Sequence, residues 1–440
     1  MKSKRMRKRI LLYVDHRNRD LAGLVLLKCV LERKYNYEVL VARYGLGYTY
    51  FIDGFSPHLI SVPNVANDYA SEFTRQAKNA GSLVALIRSE GLAFNEKKLS
   101  LFAGVSQNLS NIDLNFTWGH AVRDAIAKYN TFSLERTFVC GNPRFDLYAP
   151  PWAKILKSKD SFCKENDLDI RRPIITWATN YVFASIPKGK FDEEMTFNRL
   201  EVFNADNVRE KQIISRQHSI KIFFEIVQEV PNVNFVLKPH PYEDVGFYRS
   251  EASKMKVDNF VLMSREVIEN ILNSTDILLT YDSTTAAEAW FLKKPTLALD
   301  FIKEGASDFH ELLSGSEKVR TKRECIRMIN YYLNNGRIPY AIEKNRDAFI
   351  RKWFLKIDGK SAERHADVIH RHLRKSRRTS KSIHSLTNIV KYMKWEALKY
   401  LPNERLKFWR TSPEDPRCIS YKDTRSLVMR ISRVARYNNE

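Results

Sequence analysis

Lys238, Pro239, His240 and Pro241 stand in a row at the end of an apolar run, in "NFVLKPHPYEDV" (234–245). An imidazole can donate a hydrogen bond or move a proton near neutral pH. A proline on each side fixes the backbone that carries it and biases Lys238 and His240 away from helix. Read alone, this is a histidine capping a turn. A second stretch, "DILLTYDSTTAAEAWFLKKPTLAL" (276–299), changes that reading. Its apolar run ends at Asp282, Ser283, Thr284 and Thr285, where a helix is expected to start with Asp282 or Ser283 as its cap. Ala286 in place of an acidic residue excludes a strict capping box. Hydroxyls and free backbone N–H groups at a helix start suit an anion such as phosphate. Glu288 follows one turn in. A carboxylate there would repel phosphate but could accept hydrogen bonds from ribose hydroxyls.

A second set lies nearer the N-terminus. Glu90 in "LIRSEGLAF" follows an apolar run and precedes Gly91, which allows a tight turn. It is the preferred general base for a substrate hydroxyl; the plainer reading is a loop glutamate, or one paired with Arg88. Asp15, Arg17, Arg19 and Asp20 cluster after the first apolar run. The arginines are suited to bidentate contact with an anionic acceptor or a sugar carboxylate, against the plainer reading of a solvated loop. Arg144 in "GNPRFD" is a further candidate for acceptor or sugar, beside Asn142 and Pro143, which shape the chain there.

These residues fall at the ends of expected strands, where open α/β sheets bind ligands. Strands are expected at 8–15, 37–44, 58–64, 82–94, 114–119 and 136–148, with helices at 20–35 and 70–81. The pattern restarts after a connecting helix, with strands at 173–181, 233–241, 259–263, 275–283 and 294–301. Residues 338–373 read as helical and able to pack back across the join. The expectation is an α/β protein with two Rossmann-like domains, residues 1–150 and 151–372, followed by a basic helical extension, 373–440.

The chain has 440 residues and a formal net charge of +22, which favours an anionic partner. No nucleic-acid motif accompanies the charge, which argues against RNA or DNA. No run of about twenty apolar residues appears. The basic N-terminus "MKSKRMRKRILLYV" lacks the long apolar stretch and cleavage site of a signal peptide. Five scattered cysteines show no metal or disulfide spacing and fit a reducing cytoplasm. The extension is rich in basic and aromatic residues, Trp395, Tyr400, Phe408 and Trp409 among them. It reads equally as a packed appendage and as a basic segment against an anionic membrane, which would make the protein peripheral on the inner face of the plasma membrane.

"LKPHPYE" with "ILLTYDSTTAAEAWFLKKPTLAL" resembles the donor-binding half of GT-B glycosyltransferases, in particular CDP-glycerol glycerophosphotransferases and transferases of CMP-activated acidic sugars. "RNRDLAGLVLL", "SEGLAF", "TWG" and "GNPRFDLY" extend the resemblance over residues 9–370 to surface carbohydrate biosynthesis proteins, and "GNPRFD" also to Kdo transferases. The resemblance implies two facing domains, 1–150 on the acceptor side and 151–372 binding a nucleotide donor, and transfer of a sugar, CMP-linked by preference, to a polysaccharide or lipid-linked acceptor. Lys238, His240, Ser283, Thr284 and Thr285 would hold the donor phosphate, with His240 assisting its departure. Glu288 would bind the ribose. Neither metal nor cofactor is implied, and the displacement would be inverting. "DLD" (167–169) fits a metal-binding D-x-D only as letters, since it falls in the join. The rival enzyme readings are transfer of glycerol or ribitol phosphate from a CDP-linked donor and 2-epimerisation of a nucleotide sugar. The non-enzyme readings are a GT-B-like scaffold and an RNA- or polyanion-binding protein.

Overall fold

The structure, a computed structural model, describes residues 7–43, 55–65, 68–93, 96–102, 109–197, 205–255, 257–302, 310–376, 419 and 421–437. The chain forms two compact units. One comprises residues 1–92, 99–155 and 352–440; the other comprises 93–98 and 156–351.

The first unit is built on six parallel strands: β1 (Arg9–Val14), β2 (Glu38–Arg43), β3 (Leu59–Val62), β4 (Leu83–Ile87), β5 (Leu114–Thr117) and β6 (Thr137–Val139). Their order is β2-β1-β3-β4-β5-β6. β1, β3 and β5 are buried along their whole length, as continuous apolar runs in a sheet covered on both faces must be. Helices α1 (Arg17–Tyr35), α2 (Asp68–Asn79) and α3 (His120–Tyr129) make crossovers. α1 begins three residues before the expected Asp20. Arg17, Asn18 and Arg19 read as loop, but the His16 N–H is taken by the Asp20 carboxylate at 3.1 Å, which closes the first turn around them. Gly23 lets α1 lie against the chain at 143–144, where a Cβ would stand 2.4 Å from the Arg144 nitrogen.

The second unit has β7 (Ile174–Ala178), β8 (Asn234–Lys238), β9 (Phe260–Leu262), β10 (Ile277–Thr280), β11 (Thr296–Leu299) and β12 (Glu317–Val319) in the order β12-β11-β10-β7-β8-β9. β12, an edge strand of three residues, escaped the sequence reading. The joining region is not one connecting helix: 3-10 turns at Pro143–Tyr148 and Trp152–Ile155 precede a short helix, Lys159–Glu165. Around the sheet lie α4 (Ala205–Glu229), α5 (Val245–Ser253), α6 (Ile268–Ser274), α7 (Thr285–Phe291) and α8 (Lys322–Leu333). The core centres on Trp177, Phe223, Phe235, Leu237 and Leu279, all wholly buried.

The chain then returns to the first sheet. α9 (Tyr340–Phe354) sets Phe349 against Trp290 in the second unit and ends with Phe354 stacked on Trp118 in the first. α10 (Ser361–Lys375) buries Ala362, His365, Ala366, Ile369 and Leu373, a stripe at helical spacing. It packs on α1, where Tyr35 stacks on His370 at 3.9 Å. Its first N–H groups, of Ser361 and Ala362, donate to the Asp146 carboxylate at 2.8 and 2.7 Å. Residues 352–372, grouped by sequence with the second domain, therefore complete the first unit. α11 (Tyr421–Tyr437) also packs on α1, burying Ile431 and Val434, so this part of the extension is helical as expected. The aromatic stretch holding Trp395, Tyr400, Phe408 and Trp409 lies outside the described residues. Among the described residues, no helix is long and apolar enough to cross a membrane.

Candidate functional site

Connections in the second sheet run one way from β7 to β8 and the other way to β10, so the strand order reverses between β7 and β10. At such a reversal the loops at the carboxyl ends diverge and leave room for a ligand. In register at this edge are Lys238, Ala178 and Thr280 on three adjacent strands. With adjacent strands about 4.8 Å apart, the turn after β8 and the turn after β10 start roughly 10 Å from each other. The structure therefore brings His240 and Ser283–Thr285 to one edge, with Thr179, Asn180 and Tyr181 between them.

His240 sits half-buried at this edge. The Tyr242 N–H donates to its Nδ1 at 3.2 Å, and its own N–H donates to Glu243 Oε1 at 3.2 Å. Glu243, which closes the quoted "LKPHPYE", was passed over by sequence reasoning. It is buried, and Oε1 also accepts from the Thr179 hydroxyl at 2.8 Å and the Tyr181 N–H at 3.0 Å, while Oε2 accepts from the Tyr248 hydroxyl. Burial pushes this carboxyl above the ordinary range, against the pull of its four donors. The spacing of the prolines around His240 was legible. The partners of Glu243 on β7's loop and on α5 were not, because only the folded sheet brings them together.

Lys238 is buried at the end of β8. Its ammonium donates to the Ser264 carbonyl at 3.0 Å and the Pro239 carbonyl at 3.4 Å, and burial pushes it down to about 8. It tethers the loops after β8 and β9, so any effect on a bound phosphate comes through its charge rather than through contact in this state. The turn after β10 differs from the expected cap. Asp282 takes a left-handed conformation (φ 43°), its carbonyl accepts from Asn180 Nδ2 at 2.8 Å, and Thr284 becomes the N-cap without a side-chain bond. Ser283 Oγ accepts the Thr285 N–H at 3.3 Å and donates to Thr285 Oγ1 at 3.1 Å. Thr284 is exposed. α7 has seven residues, so the loop's own hydroxyls and N–H groups matter more there than the helix dipole. Glu288 is 3% exposed on α7, which packs on β10 and β11. In this state it presents almost no surface to a ribose.

In the first unit the acidic and basic candidates gather at the ends of β1 and β4. Arg19 is the hub. Its guanidinium pairs with Glu90 at 2.7 Å, Asp15 at 2.9 Å and Asp20 at 3.1 Å. These carboxylates hold the guanidinium above its ordinary range although burial opposes them. Burial raises the Asp20 carboxyl, opposed by Arg19 and Arg144. Arg17 pairs with Asp423 of α11 at 2.9 Å. Both arginines expected to hold an anionic acceptor thus hold carboxylates of the chain itself. Glu90 pairs with Arg19, while Arg88 is buried and donates to Asn115 at 3.3 Å. The turn under Glu90 is fixed from below: Trp118 Nε1 and Asn142 Nδ2 both donate to the Arg88 carbonyl, at 2.9 and 3.0 Å. A Cβ at Gly91 would lie 2.2 Å from the Trp118 ring, so any side chain there must displace the ring. Glu90 itself is more than half exposed. Arg144 is buried with its guanidinium 4.5 Å from the centre of the Phe145 ring, and supports the cluster from beneath.

Two Rossmann-like units, each with a six-stranded parallel sheet and a reversal in strand order, define a GT-B-type α/β protein. Among solved structures it is similar to the wall teichoic acid polymerase TagF, with a TM-score of 0.55 at 11% identity over 84% of this chain and 90% of that one. A TagF variant soaked with CDPG gives 0.53 at 12% identity, over 84% and 89%. A putative UDP-N-acetylglucosamine 2-epimerase from Listeria monocytogenes gives 0.54 at 14% identity over 86% and 100%. A co-structure of S. aureus MnaA with UDP gives 0.50 at 16% identity, over 84% and 97%. No family model and no curated protein sequence matches the chain.

Proposed function

We propose that the protein is a transferase of surface-carbohydrate synthesis that uses a cytidine-activated donor and releases CMP. The observation that carries this reading is the edge of the second sheet, where His240, its Glu243-held turn and the Ser283–Thr285 loop flank the reversal in strand order. Imidazole, hydroxyl and amide donors with a buried cation nearby offset the charge that develops on a departing phosphate. A divalent ion is not needed for that task. In the sugar form of the reaction an acceptor hydroxyl attacks the anomeric carbon, the bond from carbon to the phosphate oxygen breaks, and its electron pair leaves with CMP. Glu90 takes the acceptor's proton. The acceptor is a polysaccharide or lipid-linked chain, and the basic extension would favour an anionic membrane surface.

A second form is favoured by the likeness to TagF with CDPG. There the hydroxyl attacks the outer phosphorus of a CDP-linked polyol, and the leaving group is again CMP. Release of CMP from CMP-linked sugars and from CDP-glycerol, measured beside His240→Ala, separates the two. Release from one donor, lost in the variant, is the expected result. A protein that binds none of CMP, CDP, UDP and GDP would sink the reading. Interconversion of UDP-N-acetylglucosamine with its 2-epimer would replace it by the epimerase.

A further inference from the structure

The turn that carries His240 is closed by three bonds, each with an unambiguous direction. The Glu243 N–H donates to the His240 carbonyl at 2.9 Å. The His240 N–H donates back to Glu243 Oε1 at 3.2 Å. The Tyr242 N–H donates to His240 Nδ1 at 3.2 Å. A backbone N–H cannot accept, so Nδ1 must present its lone pair, and the proton of the neutral ring sits on Nε2. We infer that Glu243 is a positioning residue: by holding the His240 amide it keeps the turn in which Tyr242 fixes the imidazole as an Nε2–H donor.

The buried carboxylate is suited to this task. It links the turn to the Thr179 hydroxyl and the Tyr181 N–H in the loop after β7, and to the Tyr248 hydroxyl of α5. The ring's carrier is therefore tied to the loop after β7 and to α5, the helix that follows it. Its importance for turnover rests on the transferase reading above. An Nε2–H imidazole donates to a departing phosphate oxygen and offers no lone pair there. It cannot take the acceptor's proton through Nε2.

The test uses full-length protein labelled with 15N in histidine. His240 is assigned by its absence in His240→Gln, and the tautomer is read from long-range proton–nitrogen spectra without substrate. The wild type is expected to show Nε2–H. Glu243→Gln, which keeps an acceptor oxygen, should retain most of that state. Glu243→Ala should mix the tautomers and lower kcat for CMP release by roughly 100-fold, with little change in nucleotide affinity. An Nδ1–H ring in the wild type overturns the inference even if no variant folds. So does a folded Glu243→Ala with the wild-type tautomer. If the tautomers behave as expected but no donor is consumed, the turn stands and the transferase reading fails.

Discussion

Lys238→Met isolates a buried charge whose effect on stability can be worked out. The Lys238 ammonium lies at about 8 against an ordinary 10.5, because burial penalises its charged form. That gap corresponds to about 3 kcal/mol carried by the native state while the amine is charged. Below about 8 both native and unfolded chains hold the proton, so the penalty is felt in full. Between about 8 and 10.5 the unfolded chain binds more protons than the native one, and stability rises with pH. Methionine fills the same space without charge but loses the bonds to the Ser264 and Pro239 carbonyls, at about 1 kcal/mol each. At neutral pH these effects nearly cancel, and the variant should match the wild type closely. As pH rises through this window the wild type should gain up to about 3 kcal/mol over Lys238→Met. Urea unfolding of both proteins at stepped pH reads the difference directly, and other groups that titrate there drop out of it. A difference that stays flat across the window would show that the amine is not held low, and would remove Lys238 as a strained charge beside the donor loop.

His240→Ala should lower CMP release by roughly 10²- to 10⁴-fold with unfolding unchanged, as measured by steady-state turnover and denaturation; unchanged turnover would remove its role. Gly91→Ala should cost about 1–3 kcal/mol, because the new methyl must displace the Trp118 ring beneath Glu90; thermal melting reads this. Asp146→Ala should cost about 1–2 kcal/mol by uncapping α10, seen as faster amide exchange at Ser361 and Ala362. Asp423→Ala breaks a half-exposed pair with Arg17 and should cost no more than about 1 kcal/mol, with any loosening confined to 421–437 in hydrogen exchange.

The architecture was legible because parallel strands buried on both faces leave long apolar runs. Those of β1 and β8 stand out, and their ends point to Asp15 and His240. β12 left no such run: Glu317, Lys318 and Val319 form an edge strand with one buried residue. The start of α1 was misread because three polar residues looked like a loop until Asp20 closed the turn. The roles of Arg17 and Arg19 were harder still. Their charge advertised an anion site, while Arg19 is taken up by its neighbours Asp15 and Asp20 and by Glu90 from β4's loop, and Arg17 by Asp423 of α11, the last two far off in sequence. Glu243 shows the same limit. A carboxylate's chemistry depends on which donors converge on it, and those arrive from two other elements.

The return of the chain to its first sheet has a consequence for synthesis. The second unit is nearly continuous, residues 156–351, whereas the first needs segments from both ends of the chain. On the ribosome the second unit can finish folding while Trp118 still lacks Phe354, Phe116 lacks His365 and the flank of α1 lacks α10. The half that begins first is completed last. Until the return segment emerges, its exposed aromatic face is a place where a chaperone would bind or a nascent chain would aggregate.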